Sequence, residues 1–505
     1  MLDNLLNVIK EEELSRQLCK SFLGIEVEEH RVDHNGKLSR EPHPQKLGSR
    51  AYHPYLQSDF SESQSEIITA PFDSVGKVIQ QLDTLQTILT RSLQNNDRIW
   101  PLSMPPALDS LDKQFIAEHF DRPAYKNYRQ YLIKKYGVPR KIITGVHVNY
   151  SIPNSFFECL YKHYEKNFEN FNSFKNTLYF RIVQNFVLNR WLITYLFGAS
   201  PVAERGFFTH SSDPKFEHPV RSIRNSRFGY VNNRADQVNV TLYSSLENFI
   251  DGLECAVKTG LLYGPAEFYG PVRLRGQDRL SDYYTKGISY LEFRVFDNNP
   301  FSTNGVDRNA LIFLKIFLIY LLVTPVDEKN IKDKLKQAFD ENNAVALEQP
   351  DKITFKLETG KVVLEKMLEL VKFLGLESEE TSRILQNFNN VLTHPKLTPA
   401  GRLMPVIKNG SLQEFGNKVS AKHKQLLTDA NVLLPAMSNF SDKTQSLIFK
   451  AVELGINYTI EKRGNNRIIL KLTYSNITKR VDVENLRSIN AQKYLCKLFP
   501  ALKIE

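Results

Sequence analysis

The sequence predicts an α+β fold, in which an antiparallel sheet has helices packed on one face and a functional site on the other. Strand-like alternation appears in short pieces, at 23–32, 62–69, 142–152, 237–243 and 288–296. Helical patterns lie between these pieces, but strands and helices do not alternate regularly. A doubly wound parallel sheet would require that regular alternation. The pattern therefore favours an antiparallel sheet.

Helical periodicity covers most of the remaining chain and predicts helices on the outside of the sheet. Residues 33–58 and 200–236 are instead rich in Pro and Gly and are predicted loops. Long loops in a compact protein are often functional. The predicted helical segments are 1–20, 74–95, 110–136, 157–197, 307–323, 328–341, 361–374, 378–391 and 411–430.

The first predicted strand carries acidic residues on one face. In this strand, residues 24–32 read GIEVEEHRV, and Leu23, Ile25 and Val27 alternate with Glu26 and Glu28. Successive side chains of a strand point to opposite faces, so the two carboxylates share a face about 6.7 Å apart, at a rise of roughly 3.3 Å per residue. Such a face is either exposed to water, as in many antiparallel sheets, or holds shared cations.

Three further stretches repeat this polar face. It carries His147, Asn149 and Ser151 in KIITGVHVNYSIP, Glu292 and Arg294 in GISYLEFRVFDNNPF, and Glu62, Gln64 and Glu66 in SDFSESQSEIITAP, with Asp59 at the entry of the last. Neighbouring strands lie about 4.8 Å apart. The pattern therefore predicts that Glu26, Glu28, Glu66 and Glu292 converge on a small volume.

Converging carboxylates repel one another unless their pKa values rise or cations bind. Mg²⁺ is commonly held by carboxylates together with substrate phosphates. Arg294 is two residues from Glu292, which suits a site where a transferring phosphoryl group lies between a metal and an arginine. The sequence contains no GxxxxGK[ST] loop and no kinase signature. The pattern indicates phosphoryl transfer at a metal cluster mounted on a sheet.

Composition restricts the class of protein. The 505 residues allow one large core or two to three domains. The net charge of +10 fits an anionic small substrate, a nucleic acid or a solvated surface. The basic run from Lys126 to Lys141 favours an amphipathic helix over a nucleic-acid stripe. The four cysteines are far apart and lack CxxC spacing, which excludes a recognisable zinc or redox motif and a dense disulfide scaffold.

Neither the N-terminus nor the most apolar run predicts a membrane or secreted protein. The first residues include acids early and lack an uninterrupted apolar stretch, unlike a signal peptide. The run ALIFLKIFLIYLLV, Ala310 to Val323, contains Lys315 and is shorter than the roughly 20 residues needed to span a bilayer. It predicts a buried core helix. We expect a cytoplasmic protein that binds neither membrane nor nucleic acid.

Several longer motifs occur in a recognisable order: GIEVE, RIWPLSMPP, TGVHVNYS, YLFGASP and YLEFRVFDNNPF, followed by LTPAGRL and FGNKVSAKHKQLL. From about residue 15 to about residue 430, the chain resembles bacterial glutamate–cysteine ligase, the first enzyme of glutathione synthesis. The resemblance implies a glutamine synthetase-like fold with a curved antiparallel sheet. It also implies the reaction of ATP, L-glutamate and L-cysteine to ADP, phosphate and γ-glutamylcysteine, with Mg²⁺ or Mn²⁺.

The resemblance also implies roles for individual residues. The metal ligands would be Glu26, Glu28, Asp59, Glu66, His147 and Glu292. The catalytic arginine would be Arg294, and Arg224 in RNSRFGY would hold the glutamate substrate. The cysteine pocket would be formed by Tyr128, Tyr230 and Tyr269, and the nucleotide contacts by Asn149 and Ser151. No residue is assigned as the base for the cysteine amine.

Residues 1–430 would form the ligase domain, and 431–505 a small α/β extension. Residues 443–473 resemble the junction that precedes an ATP-grasp domain in bifunctional glutathione-synthesising enzymes. Since the sequence ends at Glu505, we expect a ligase without the second activity. The elements predicted in the extension are a helix at 445–455 and strands at 456–461 and 467–474.

Other functions remain open. The same fold carries other ATP-dependent carboxylate–amine ligases with a different acceptor amine. Two further alternatives are a non-enzymatic protein that uses its basic surface to bind other molecules, and an inactive relative of the ligases. The metal set discriminates between them: a binding module has no need of six potential ligands, and an inactive copy would be expected to lose some of them. All six are present.

Overall fold

The computed structural model describes residues 2, 4–50, 52–119, 123–232, 240–428, 432–463, 467–486 and 490–502. Its main sheet consists of β1 (Phe22–Val32), β2 (Leu56–Ser58), β3 (Gln64–Ile68), β4 (Arg98–Trp100), β5 (Val146–Ser151), β6 (Val272–Arg275) and β7 (Tyr290–Phe296). The strand order is β2-β3-β1-β5-β7-β6, and β4 pairs with β1. Every pairing in this sheet is antiparallel. The predicted α+β class is confirmed.

Helices surround the sheet, and most of them lie in the predicted segments. Segments 1–20, 110–136 and 157–197 each contain two helices rather than one. The helices are α1 (Leu5–Glu11), α2 (Ser15–Cys19), α3 (Val75–Ser92), α4 (Ser110–Glu118), α5 (Pro123–Tyr136), α6 (Val138–Lys141), α7 (Asn154–Tyr164), α8 (Phe171–Phe197), α9 (Leu246–Lys258), α10 (Asp282–Lys286), α11 (Arg308–Val323), α12 (Ile331–Ala346), α13 (Leu357–Phe373), α14 (Glu379–Thr393), α15 (Pro399–Leu403), α16 (Gln413–Thr428), α17 (Asp442–Glu453) and α18 (Ala491–Leu498).

The apolar face of the sheet packs against α3 and α8, and α11 packs on these two helices. In β1, Leu23, Ile25 and Val27 are fully buried, as their alternation predicts. In β7, Phe293 contacts Phe186 of α8, with ring centroids 4.4 Å apart. Fully burying one such side chain contributes about 1.5–3 kcal/mol. The burial of this face stabilises the sheet, and the opposite face carries the polar side chains.

The apolar run at 310–323 forms most of α11, and Phe313, Leu314 and Phe317 within it are fully buried. The predicted core helix is therefore confirmed. Among the described residues, no single helix is long and apolar enough to span a membrane. The pair Arg308–Val323 and Glu328–Ala346 passes that test only when taken together, across a bend of 102°.

The predicted strand at 237–243 is wrong in the part that the structure describes. Of segment 237–243, residues 237–239 lie outside the described residues, and Val240–Ser244 form a 3₁₀-helix. The alternation of VTLY is typical of a strand, but this segment leads directly into α9, whose N-cap is Ser245. Tyr243 is buried, and its hydroxyl donates to the Val272 carbonyl at 2.5 Å. The packing of this tyrosine, rather than strand pairing, explains the apolar positions.

A second sheet lies in the C-terminal part. Its strands are β8 (Asn457–Arg463), β9 (Arg467–Tyr474) and β10 (Ile477–Asp482), in the order β10-β9-β8. The predicted helix and strands of this part are confirmed. The sheet packs on the loop before β2, where the rings of Tyr55 and Tyr458 are 5.8 Å apart. The predicted boundary at residues 430 and 431 lies outside the described residues, and the division into domains stays a prediction.

Candidate active site

The open face of the sheet brings together polar side chains from four neighbouring strands, β3, β1, β5 and β7. Glu28 is opposite Glu66, Glu26 is opposite His147, and Asn149 is opposite Glu292. The sequence-based expectation that these groups converge is therefore met in the backbone register. Glu62 does not join them. It precedes β3, forms an ion pair with Arg50 and accepts a hydrogen bond from the His43 amide at 2.6 Å.

This face forms the floor of a cavity of about 280 Å³. Most of the predicted site residues line it. They are Glu26, Glu28, Asp59, Glu66, Tyr128, His147, Tyr230, Tyr269 and Arg294. The cavity combines acidic, basic and aromatic walls, which suits a substrate with charged ends rather than an apolar ligand.

His147 lies at the centre of the acidic cluster. Its Nδ1 is 3.5 Å from Glu26 Oε2 and 3.6 Å from Glu292 Oε1, and its Nε2 is 3.7 Å from Glu28 Oε1. Burial, together with the charge of Arg294, lowers the pKa of His147 to about 4, so the imidazole is neutral at pH 7. Its Nε2 has no hydrogen-bond partner in the described part of the chain.

The ligand atoms of Glu26, His147 and Glu292 all lie within 4.8 Å of one another. Two carboxylates and a neutral imidazole with a free nitrogen are donors that a divalent cation accepts. The donor set therefore fits a metal ion.

The carboxylates divide into two groups with opposite electrostatics. Burial, and then the charge of Asp59, raise the pKa values of Glu28 and Glu66 well above the ordinary value. Burial alone would also raise the pKa of Glu292, but Arg294 and other cations lower it below the ordinary value. Burial alone would raise the pKa of Glu26 too, but the hydrogen bond and charge of His147, together with the hydrogen bond from Asn149, lower it below the ordinary value. Arg294 and Arg224 offset the rise only in part at Glu28, and the main influences on Glu66 all raise its pKa, whereas arginines compensate the charge of Glu292.

Three arginines surround the carboxylate of Glu292, which is fully buried. Arg294 donates from Nη1 to Glu292 and from Nη2 to the hydroxyl of Tyr230. Arg275 donates from Nε to the other Glu292 oxygen, and Arg273 is opposite Glu292 in the sheet. Arg273, Arg275 and Arg294 line the cavity, so its wall beside Glu292 is strongly positive. Such a wall suits a phosphate, whose oxygens accept guanidinium hydrogen bonds.

Arg273 and Arg275 were not predicted from the sequence. They lie on β6, whose four residues read VRLR, and the two arginines share one face of the strand. That alternation is the same signal that identified the other strands, but β6 is too short for it to stand out. Lys141 and Arg129, which also line the cavity, were missed because both belong to a run that reads as an amphipathic helix.

Arg224 lies behind the cavity wall and is almost fully buried. Its Nη2 donates to the Arg294 carbonyl at 3.0 Å, and its guanidinium carbon is 5.2 Å from the centre of the Tyr230 ring. A Cβ at Gly145 would lie 2.2 Å from Nη2, so only a glycine allows this approach. Nε and Nη1 make no hydrogen bond among the described residues, and Nη1 lies 4.0 Å from Asp297 Oδ1. The guanidinium therefore retains donors for an anionic group.

The three predicted pocket tyrosines converge from separate segments. The rings of Tyr230 and Tyr269 are 5.1 Å apart, and Tyr128 lines the same cavity. Tyr128 also packs on Tyr263, with centroids 5.1 Å apart. Tyr128, Tyr230 and Tyr269 form an aromatic wall of the same cavity, and Tyr263 is not among its lining residues.

The two predicted nucleotide contacts differ in their surroundings. Asn149 donates from Nδ2 to Glu26 Oε1 at 2.8 Å, which links it to the acidic cluster. Ser151 is the last residue of β5, opposite Phe22 at the start of β1. Neither Asn149 nor Ser151 is among the cavity-lining residues.

Comparison with known sequences assigns the family. The glutamate-cysteine ligase family model matches residues 6–263 and 258–345. The chain is 36% identical over 488 residues to the glutathione biosynthesis bifunctional protein GshAB of Streptococcus mutans, covering 96% of this chain and 62% of the relative. It is 32% identical over 466 residues to the protein of that name from Pasteurella multocida, covering 92% and 60%. The chain thus spans less than two thirds of these relatives.

Solved structures show the same fold. The bifunctional glutathione synthetase of Pasteurella multocida superposes with a TM-score of 0.86 at 30% identity, over 98% of this chain and 64% of that one. The glutamate–cysteine ligase of Francisella tularensis in complex with AMP gives a TM-score of 0.72 at 21% identity, over 86% and 92%, a likeness that concerns the fold alone. With the family match covering more than half of its residues, the chain belongs to the glutamate-cysteine ligase family.

Proposed function

We propose that this protein uses ATP to join the γ-carboxylate of L-glutamate to the amine of L-cysteine, the first step of glutathione biosynthesis. The observation that carries the proposal is one cavity lined by an acidic cluster, Arg294 and the tyrosine wall. We assign the activity to residues 1–430 and regard their sheet as glutamine synthetase-like. Residues 431–505 form an extension in this proposal.

The metal ligands in this proposal are Glu26, Glu28, Asp59, Glu66, His147 and Glu292, with Mg²⁺ or Mn²⁺ as the ion. The neutral imidazole, its free Nε2 and the crowded carboxylates support this assignment. When bound, the ion neutralises the triphosphate charge and aligns it for in-line transfer. Asn149 and Ser151 would lie beside the nucleotide.

A carboxylate does not condense with an amine at neutral pH, and ATP overcomes this by phosphorylation. The γ-carboxylate of glutamate attacks the terminal phosphoryl group, giving ADP and γ-glutamyl phosphate. Arg294 stabilises the negative charge that develops on the transferring group, with Arg273 and Arg275 beside it. Arg224 holds the glutamate substrate, and its Nε and Nη1 make no hydrogen bond in the described part of the chain. The cysteine amine then attacks the acyl carbon, and phosphate leaves.

The proposal is tested by incubating the pure protein with ATP, Mg²⁺, glutamate and each amino acid in turn, and identifying products by mass. We expect γ-glutamylcysteine to dominate and to require ATP. A different γ-glutamyl product would identify a ligase of the same fold with another acceptor. Absence of any ATP-dependent γ-glutamyl product would refute the ligase assignment.

We expect the acceptor pocket to rank its substrates by shape rather than by strong hydrogen bonds. Cysteine offers only a weakly donating thiol, and sulfur packs well against aromatic edges. 2-Aminobutyrate should therefore react with reduced kcat/KM, because apolar pockets reject near-isosteres weakly, by about 1–3 kcal/mol. Serine should react much more slowly than 2-aminobutyrate, since its hydroxyl would be buried. Serine reacting faster would show that the pocket is polar and that cysteine is the wrong acceptor.

The variant that isolates this pocket is Tyr128→Phe. The hydroxyl of Tyr230 contacts Arg294, so its loss would disturb phosphoryl transfer too. Tyr128 lines the same cavity, and within the described ranges its hydroxyl makes no hydrogen bond to Arg294. Tyr128→Phe should raise KM for cysteine more than KM for glutamate or ATP. The matched control is Tyr263→Phe, which removes a hydroxyl from a 55% exposed ring and should leave all three KM values unchanged.

Glu66→Gln is expected to raise the melting temperature of the metal-free protein by about 1–3 °C at pH 7.5. A folded-state pKa above the unfolded value means that stability falls as pH rises past the ordinary glutamate pKa, and glutamine removes this penalty. The gain in melting temperature on adding Mg²⁺ should shrink, because binding to the folded state stabilises it. Glu29→Gln is the control for the Mg²⁺ response, which should stay intact in this variant. Glu29 is buried on the opposite face of β1 and accepts from Gln86 at 2.9 Å. A Mg²⁺ response that stays intact in Glu66→Gln would remove Glu66 from the ligand set.

A further inference from the structure

We propose that Lys141 is the base that takes the proton from the ammonium group of the acceptor amino acid. This inference rests on the proposed function, whose mechanism needs a neutral amine and has no group assigned to produce it. An amino acid carries an ammonium group at neutral pH, and an ammonium nitrogen has no lone pair with which to attack an acyl phosphate.

Lys141 is positioned at the wall that we assign to the acceptor. It is the last residue of α6, is 8% exposed and lines the 280 Å³ cavity. Its Nζ donates to the hydroxyl of Tyr269, one of the three pocket tyrosines. The same Nζ lies 3.6 Å from the centre of the Tyr269 ring and 4.7 Å from that of Tyr136. The amine therefore sits where the amino group of an acceptor would enter.

The surroundings of Lys141 favour its neutral form. No carboxylate oxygen lies within 4.0 Å of its Nζ in the described ranges, whereas nearby Lys135 is 2.8 Å from Glu267. Burial lowers the pKa of Lys141 to about 7, against weaker opposing effects of more distant carboxylates. A base whose pKa is close to the working pH combines availability with driving force. The charged groups that face it are Asp59, Glu267 and Glu28, which raise its pKa, and Arg294, which lowers it.

A hydrogen-bond network fixes the two rings that contact Lys141. Tyr136 donates to Glu267 Oε1 at 2.8 Å, and Asn232 donates to the Tyr136 hydroxyl at 3.0 Å. The backbone amide of Tyr269 donates to Asn232 Oδ1 at 2.9 Å. Asn232 thus links the Tyr136 hydroxyl to the backbone of Tyr269, the two residues whose rings lie beside the Lys141 amine. Such preorganisation is typical of groups that act in a reaction.

The proton balance of the step is complete. The lone pair of Lys141 Nζ takes one proton from the acceptor ammonium, which leaves a neutral amine and a lysine ammonium. The amine nitrogen bonds to the acyl carbon, and the bond from that carbon to the phosphate oxygen breaks. The second proton of the new amide nitrogen leaves with the phosphate, and Lys141 returns its own proton to water.

The experiment compares two acceptors, cysteine and hydroxylamine, in Lys141→Met. Hydroxylamine is already neutral at pH 7 and needs no base. We expect the kcat for γ-glutamylcysteine to fall by about 10²-fold or more, the scale of losing a general base, while γ-glutamyl hydroxamate forms at close to the wild-type rate. Intact hydroxamate formation also proves that the variant is folded and phosphorylates glutamate. The control is Lys134→Met, an exposed lysine of the neighbouring helix, which should change neither rate.

Lys141→Arg separates a base from a mere positive charge, because arginine is not deprotonated in proteins. We expect this variant to lose cysteine ligation as Lys141→Met does. In the wild type, kcat with cysteine should rise with pH through about 7, as Lys141 loses its proton, and this limb should be absent with hydroxylamine. Equal loss with both acceptors, or a normal kcat in Lys141→Arg, would overturn the assignment. If the wild type forms neither product, the proposed function itself fails.

Discussion

Replacing Glu292 with glutamine is expected to lower the rate of γ-glutamylcysteine formation by about 10³-fold or more, the upper range for losing one preorganised charge at a reacting centre. The amide lacks the negative charge that the proposed metal site uses. It also leaves Arg294 and Arg275, both bonded to Glu292, without their carboxylate partner. Product formation at saturating ATP, glutamate, cysteine and Mg²⁺ measures the effect.

The same variant should be less stable than the wild type, in contrast to Glu66→Gln. Removing one partner of a buried ion pair costs about 3–5 kcal/mol, because the remaining charges stay buried and unpaired. Activity must therefore be compared at a temperature where circular dichroism shows a folded chain. The control is Glu29→Gln, a buried carboxyl on the other face of the sheet, which should keep its activity. Near-normal turnover of Glu292→Gln at low Mg²⁺ would contradict the shared-cation site.

Arg294→Lys is expected to lower kcat by about 10²-fold or more, the scale of losing one transition-state donor. Lysine keeps the charge but loses the planar fork, which here contacts Glu292 through Nη1 and Tyr230 through Nη2. A single ammonium cannot replace both contacts and still face a phosphoryl group. Steady-state kinetics should show a much smaller change in KM for cysteine.

The control for this substitution is Arg308→Lys. Arg308 pairs with Glu380 at 2.6 Å, and both side chains are 44% exposed. Exposed pairs contribute little to stability, so the same chemical change should leave kcat unaltered. A change confined to the cysteine KM in Arg294→Lys would place Arg294 in the acceptor pocket instead.

The strands that carry the site could be predicted because each has one face in the core. Leu23, Ile25 and Val27 are fully buried, so their period of two fixes where Glu26 and Glu28 point. That logic holds without knowledge of the neighbouring strands. It also extends to β5 and β7, which is why most of the candidate cluster was recognised from sequence.

The same logic fails where position depends on contacts distant in sequence. The alternation of side chains predicted that Glu62 lies on the same strand face as Glu66. The strand instead begins at Gln64, and Glu62 forms an ion pair with Arg50. The alternation also makes no distinction between the charged surroundings of the individual glutamates in the cluster. The structure separates Glu292, neutralised by arginines, from Glu66, which is crowded by other carboxylates. Alternation within one strand does not reveal which cations a neighbouring strand supplies.

The packing of the C-terminal sheet on the loop before β2 has a consequence for dissecting the chain. His53 accepts from the Leu56 amide at 2.8 Å through Nδ1, and its Nε2 is 2.6 Å from the Val452 carbonyl oxygen in α17. The amide of Tyr458 donates to the Tyr55 hydroxyl at 3.0 Å.

These contacts anchor the segment that leads into β2, the strand that pairs with β3 and Glu66. A fragment cut near residue 431 would leave His53 and Tyr55 without these partners. The C-terminal part thus stabilises the segment that leads into β2, and we expect a fragment of residues 1–430 to be less stable than the full chain.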